Sequence, residues 1–297
     1  MAEPGEVQVH KNDVMIALLG LTGAGKSTFA NVASGRESVK VGHTIYPCTQ
    51  DPQAVRFILD GRRIALIDTP GFDDDKRSDV RILEDIAKWM ADRGYLATHQ
   101  LDGLILLHPV TAHRVGGTER KRTKLLEKIL GRNAYKRIVI ATTMWDQIKS
   151  EDDMKERIQG RTKDLWKDLI DGGAKIVTHH NNQESARAII RDIINMSVKH
   201  GKLQPQLQTE LTANPQLVET TAGKTVKAQL EAEIGRTRTL LKEHNSKKPE
   251  VVPKKDKYVN PQKWELWKEW WDKNKALERE LADLEFRWKR LNSLSVS

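Results

Sequence analysis

The sequence predicts an α/β fold: a mostly parallel sheet and its helices in three layers, followed by a helical C-terminal extension. Three observations predict it. Residues 14–200 alternate short apolar runs with amphipathic stretches, the pattern of strands buried by crossover helices. A glycine-rich turn, GLTGAGKST at 20–28, joins the first apolar run to the first amphipathic stretch. After His200 the pattern changes to polar spacers around two long helical segments. The expected division is 1–200 for the α/β domain and 201–297 for a linker and helical extension.

The runs at 14–19, 55–59, 64–67, 104–107, 138–141 and 175–177 read as strands, because each is short, apolar and flanked by turn residues. Residues 28–33, 80–93, 119–130, 152–170 and 184–199 read as helices. The stretch 201–222 holds Pro205, Pro215 and many Gln and Thr, and reads as linker. Residues 224–244 look helical, and 245–262 form a second, Lys- and Pro-rich spacer. Pro261 then opens a helix to about residue 291, placed where a missing N–H costs least.

In that last helix Trp267, Trp270, Asn274, Leu277, Leu281, Leu284, Trp288 and Leu291 recur at alternating spacings of three and four, a heptad seam with Asn274 at an a-type position. Five of the eight tryptophans (Trp264, Trp267, Trp270, Trp271 and Trp288) lie here. Such a seam serves either as a face buried within the chain, on the α/β domain or on 224–244, or as a coiled coil with a second copy or a helical protein partner. Large indoles crowd a simple two-stranded seam, which favours burial within the chain. Tryptophan flanked by lysine also suits a lipid interface; Glu265, Glu269, Asp272, Glu278 and Glu280 count against that reading.

The bulk numbers narrow the function classes. Charged residues make up 31% of the 297, mean hydropathy is −0.60, and no stretch approaches the ~18 apolar residues of a membrane span. The N-terminus lacks the apolar core of a secretory signal, and Ala2 excludes myristoylation. A single cysteine, Cys48, allows no internal disulfide and fits a reducing compartment, so a cytoplasmic location is expected. The net charge of +9 is diffuse: residues from 201 onward hold 19 Lys and Arg against 14 Asp and Glu. KKPEVVPKKDK has no reading motif and is taken as a solvated linker, so nucleic acid is not an expected partner.

Gly20-x4-Gly25-Lys26-Ser27 matches the phosphate-binding loop, and the required strand before and helix after it are in place. Gly20, Thr22, Gly23, Ala24, Gly25 and Thr28 complete a cradle of backbone N–H groups. Lys26 is expected to reach the terminal phosphates, and Ser27 to offer its hydroxyl to Mg²⁺. The next landmark, RIALIDTPGF, ends a strand at Asp68, placed to hold the Mg²⁺ shell through water. The N–H of Gly71 is placed to sense the last phosphate, as in a switch loop. Between them, Thr49 and Thr44 both qualify as the threonine that closes on Mg²⁺ and the γ-phosphate; Thr49 is preferred because it directly precedes the following strand.

Base recognition is expected where RIVIATTMWDQI ends its strand. Thr143, Met144, Trp145 and Asp146 occupy the place of the guanine motif Asn-Lys-x-Asp, and the Asp that accepts from the guanine ring is kept as Asp146. GTP or GDP with Mg²⁺ is therefore expected rather than ATP. The position after the DxxG element, where small GTPases orient water with Gln, holds Phe72, so an isolated copy should be slow.

GLTGAGKSTFAN, DTPGFDDD, LDGLILLHPVTAHR and IVIATTMWD together resemble the septin-related, immunity-associated (AIG-type) GTPases, over about residues 10–200. The likeness runs to fungal members with a TTMWD-like guanine motif and a helical C-terminal extension. It implies a P-loop GTPase fold, with relatives that pair face to face across their nucleotides as homodimers. It further implies that Asn181, beside His180 in VTHHNNQES, contacts guanine. In HPVTAHRVGG, which carries His108, His113 and Arg114, it implies that Arg114 crosses to the partner's nucleotide. Pro109 departs from a family position where a basic residue is usual. The functional expectation is a GTPase stimulated by self-pairing; the alternative is a non-hydrolysing, septin-like GTP-bound scaffold.

Overall fold

The computed structural model describes residues 13–36, 53–68, 78–91, 100–111, 116–148, 150–249 and 261–296. They fall into two compact units, one running to Asn214 and the other spanning Pro215–Val296.

The first unit runs β1 (Val14–Gly20), α1 (Lys26–Ser34), β2 (Gln53–Leu59), β3 (Arg62–Asp68), α2 (Asp79–Ala91), β4 (Gly103–Pro109), α3 (Gly117–Leu130), β5 (Ile138–Thr143), α4 (Glu151–Lys163), α5 (Lys167–Asp171), β6 (Lys175–Thr178), α6 (Gln183–His200) and α7 (Gln206–Ala213). Its sheet has the order β2-β3-β1-β4-β5-β6. All neighbours are parallel except β2 and β3. That pair is a hairpin turned by Asp60 (φ 50°) and Gly61 (φ 75°), the two left-handed residues that match the strand twist. The expected α/β fold with its mostly parallel sheet is thus the observed one.

The central strands are buried on both faces, which is why they read as continuous apolar runs. Ile16, Leu18, Ile105, Leu107, Val139 and Ala141 meet Phe29, Ala30 and Ala33 of α1 and Ile189, Ile190 and Ile193 of α6. On the other face Leu106 meets Ile82 and Ile86 of α2 and Leu125 and Ile129 of α3. Asp102 ties three elements together at the N-terminal edge of the sheet. Its carboxylate accepts from the Met15 N–H at 2.8 Å, the Ser197 hydroxyl at 2.7 Å and Lys202 Nζ at 2.5 Å.

Two sequence readings change. The helix expected over 152–170 is interrupted between α4 and α5, because Leu165 and Trp166 turn inward. Trp166 is fully buried, its ring edge-on to His108 at 5.0 Å. The stretch 201–222, read as linker, contains α7, whose Leu207 and Leu211 are buried; α7 packs with α2 and α3. Leucines one turn apart supply enough apolar face to fold a segment that polar composition alone marks as spacer.

The second unit is an antiparallel hairpin of α8 (Thr221–Ser246) and α9 (Pro261–Ser293). Thr220 caps α8 by accepting from the Gly223 N–H at 3.0 Å. A Cβ on Gly223 would lie 1.9 Å from the Leu217 carbonyl oxygen, so glycine is required there. The heptad seam is spent within the chain: Asn274, Leu284 and Leu291 are buried, as are Val226, Leu230 and Ile234 on α8. Polar contacts fix the register, with Trp288 Nε1 donating to Glu231 at 3.1 Å, Arg238 paired with Glu285 at 2.6 Å, and Thr237 donating to Glu280 at 3.3 Å.

Candidate functional site

The phosphate loop and the base-reading segment meet at the C-terminal edge of the sheet, where open α/β sheets bind ligands. Parallel register places Leu18 beside Asp68 and Gly20 beside Leu107. A Cβ on Gly20 would lie 2.4 Å from the Leu107 carbonyl oxygen, so glycine alone lets the chain leave β1 there. Gly23 (φ 79°) and Gly25 (φ 91°) take left-handed conformations in open space. Their requirement is conformational rather than steric. Between them the buried Ala24 closes a turn by donating its N–H to Leu21 O at 3.0 Å. Gly25 opens α1 with no side-chain cap, and the first turn holds no acidic residue. Uncapped N–H groups and the helix dipole therefore face outward, suited to an anion. The buried Thr22 hydroxyl has no partner among the described residues, and Thr28 is half-buried in the first turn of α1.

Lys26 is only 8% exposed and donates to the carbonyl oxygens of Gly20 and Leu21, each at 3.1 Å. Burial pushes its pKa down to about 8, with the Asp68 carboxylate working in the opposite direction. The Ser27 hydroxyl donates to Asp68 Oδ2 at 2.6 Å, and Asp68 is fully buried. A hydroxyl and a carboxylate held together beside a phosphate loop form the hard-oxygen donor set that suits Mg²⁺.

The lowered Lys26 pKa has a definite sign. Below about pH 8 the ammonium is charged with or without a bound polyanion. Above that pH the free protein has lost the proton that a polyphosphate needs, and binding must take it up. Affinity for GDP is therefore expected to be flat below about pH 8 and to fall by up to about tenfold per pH unit above it. Calorimetry across a buffer series checks this. Without nucleotide the sign for stability is opposite: from about pH 8 to the ordinary 10.5 the unfolded chain holds more protons, so this group's contribution to stability rises with pH.

The residues expected to read the base come from two loops. Thr143, buried at the end of β5, donates its hydroxyl to the Ala24 carbonyl of the phosphate loop at 3.1 Å. It thus takes up a bridging contact between the two motifs. Met144 follows with φ 64°, turning the chain so that Trp145–Gln147 form a short 3-10 turn. Trp145 Nε1 donates back to Thr142 O at 3.0 Å, which pins the indole and leaves Asp146 exposed. From the other side, the His179 N–H donates to Thr142 O at 2.8 Å, and Asn181 adopts φ 53°. Asn182 caps α6 by accepting from the Ser185 N–H at 2.8 Å.

These segments line an open cleft of about 680 Å³, with Met144, Trp145, Asp146 and Met154 on one side and residues 178–181 on the other. The structure brings Asp146, His180 and Asn181 together at one cleft and ties them through Thr143 to the loop of Lys26. Thr49, Gly71 and Arg114 lie outside the described residues, as do Thr44, Phe72 and His113.

Two cleft residues, Met154 and His179, escaped the sequence reading. Met154 adds a second thioether beside Met144, which stands at the lysine place of the usual motif. His179 is buried, edge-on to Phe29 at 4.9 Å, and shares a 2.9 Å hydrogen bond with Ser185. Burial first, then the nearby His180, pushes its pKa down to about 4, so it is neutral at ordinary pH. His108, singled out beside Arg114, turns inward instead. It is buried and hydrogen-bonded to Glu119. Burial works to raise the Glu119 pKa, but the hydrogen bond and charge of His108 outweigh it and hold the carboxyl below its ordinary range.

A model of the AIG1 family matches residues 14–245. Among curated proteins, "GTP-binding protein A" of Dictyostelium discoideum is 29% identical over 153 residues, covering 48% of this chain and 33% of that protein. "GTPase Der" of Thermoanaerobacter sp. (strain X514) is 31% identical over 146 residues, covering 49% of this chain and 31% of that protein. The chain thus spans about a third of the length of the curated relatives it matches. Among solved structures, Toc33 from Arabidopsis thaliana in complex with GDP and Mg²⁺ superposes with a TM-score of 0.52 at 17% identity, covering 64% of this chain and 86% of that one. At that identity the likeness is one of fold.

Proposed function

The chain belongs to the AIG1 family, and from that premise we propose that it binds GTP and GDP with Mg²⁺ and hydrolyses GTP to GDP and phosphate, slowly alone and faster when two G domains pair. The observation that carries this reading is the Thr143–Ala24 hydrogen bond. It joins a cleft with an exposed carboxylate acceptor, Asp146, to a phosphate loop with a buried lysine. Guanine offers two adjacent N–H donors to such a carboxylate; adenine does not.

Each residue of the proposed site has a role. Lys26 exchanges the Gly20 and Leu21 carbonyls for phosphate oxygens and recovers its full charge. Ser27, Asp68 and Thr49 would hold Mg²⁺, which would supply neutralisation of the charge that builds on the phosphates. Gly71 donates its N–H to the last phosphate. Phe72 cannot orient water, so the missing assistance is assigned to Arg114 of a second copy. Support for pairing comes from a relative in fold: dimerization is important for the GTPase activity of the chloroplast translocon components atToc33 and psToc159. A kinship with fungal, septin-related members belongs to the same proposal.

Turnover per molecule is expected to rise with protein concentration, and Arg114→Ala to remove the rise. An arginine supplied in trans contributes roughly 10³–10⁵ in rate, so even partial pairing gives a slope visible in a phosphate-release assay. A flat profile together with co-purified, unhydrolysed GTP would instead point to the septin-like scaffold.

A further inference from the structure

We propose that the tryptophan row at the start of α9 docks on an anionic lipid surface. The proposal is independent of the nucleotide site. The last layer in which the described residues of the two helices exchange hydrogen bonds is His244 with Trp270, whose rings stack at 5.4 Å while Trp270 Nε1 donates to His244 O at 3.1 Å. Beyond it α9 continues with Trp264 and Trp267. Trp264, Trp267 and Trp271 stack in a ladder, with ring centroids 5.5 and 5.4 Å apart and planes within 23° and 13°. Trp264 is 45% and Trp271 41% exposed, and Leu266 is 61% exposed on another side of the helix. The Trp267 Nε1 has no hydrogen-bond partner among the described residues.

Helix geometry sorts the charges around this ladder. Trp264, Lys268, Trp271 and Lys275 follow one another at i, i+4, i+7 and i+11, a single row along α9. Lys275 Nζ lies 4.7 Å from the Trp271 ring and Lys248 Nζ 5.6 Å from the Trp270 ring. The acids Glu265, Glu269 and Asp272 form the next row, one residue on. Glu278 is already engaged by Lys275 at 2.8 Å and by Asn274. Of the acids that weighed against a lipid reading, Glu265, Glu269 and Asp272 occupy a separate flank, while Glu278 continues the tryptophan row one step beyond Lys275 and is paired with it. From Trp264 to Lys275 the row itself carries lysine as its only charged residue.

Indoles sit well at headgroup depth, where the ring is half-apolar and its N–H is wet. Lysine stems lie along apolar surface while their ammonium groups reach phosphate. The aliphatic seam that a second helix would need is already used by α8, so a lipid surface fits the tryptophan row better than another copy.

The test is co-sedimentation of the full chain with vesicles of phosphatidylcholine alone and with about 30% phosphatidylserine. Binding is expected to the anionic vesicles only and to weaken with salt. It should fall about tenfold or more in Trp264→Ala/Trp271→Ala and in Lys268→Glu/Lys275→Glu chains, while Lys268→Arg/Lys275→Arg keeps it. Far-UV circular dichroism identifies any variant that has lost its helices; the Lys→Glu and Lys→Arg pair decides the question if the tryptophan variant is such a case. Failure of the unaltered chain to bind anionic vesicles, or equal binding by the Lys→Glu chain, overturns the proposal. So does a halving of molecular mass on Trp removal with no vesicle binding, which would make the row a contact between copies.

Discussion

Replacing Asp146 with alanine is expected to erase the preference for guanine over adenine nucleotides. The carboxylate is exposed in the cleft and accepts two N–H donors from guanine in the proposed complex. Hydrogen bonds to a charged group contribute about 1.5–3 kcal/mol each, so losing two lowers GDP affinity by about 10²–10⁴-fold. ADP never made those bonds, and its weak binding should not change. Asp146→Asn is the sharper variant: its amide can donate to the 2-oxo group of xanthine, so the protein should turn toward XDP. Calorimetry with GDP, ADP and XDP reads all three. An unchanged GDP-to-ADP ratio in Asp146→Ala would show that something else in the cleft selects the base.

Lys26→Ala is expected to produce the second large loss, with GTP affinity reduced by about 10²–10⁴-fold through the same charged hydrogen bonds and turnover abolished. The fold should survive it. In the free protein the ammonium is held in a buried place where its charge is disfavoured, so removing it should leave the melting temperature of the nucleotide-free chain unchanged or raised. That separates loss of grip from loss of structure. Lys26→Arg should not rescue binding, because a guanidinium is wider and cannot shed its proton to fit the site. Nucleotide-release fluorescence and thermal melts on the three chains check these outcomes. Full GTP affinity in Lys26→Ala would remove the phosphate loop from the mechanism.

Much of the first unit was legible because its strands are buried on both faces. Runs such as 104–107 and 138–141 carry no competing helical period, and each lies inside an observed strand. The phosphate loop was legible because its glycines answer to backbone demands that no other residue meets at Gly20. Less legible were features that depend on distant partners. Composition marks 201–222 as spacer, and only α2 and α3 make Leu207 and Leu211 a buried face. The helix over 152–170 breaks because Trp166 is drawn under the sheet, a tertiary pull with no local sign. The antiparallel β2 edge had a local sign in Asp60-Gly61, a two-residue hairpin turn that a search for parallel strands passes over.

In the cleft, chemistry that belongs to a motif could be read and chemistry that belongs to packing could not. Asp146 stands at the motif's own spacing, and it lines the cleft. His179 is enclosed by Phe29, far from it in sequence, and by Ser185 at the other end of the same loop; its burial depends on that packing and not on a motif position. His108 looked like a site residue by its place near the C-terminal end of β4; Glu119 and Trp166 make it part of the interior instead.

The Thr143–Ala24 contact also bears on how freely the base-reading motif can drift. The bond asks position 143 only for a short side chain able to donate to one carbonyl oxygen, a demand that Thr, Ser and Asn all meet. In the proposed complex, position 146 must bear a carboxylate. Kin of this chain should therefore interchange donors at the first site while holding the last one constant, and a departure from the commonest spelling of the motif is no sign that nucleotide selectivity has been given up.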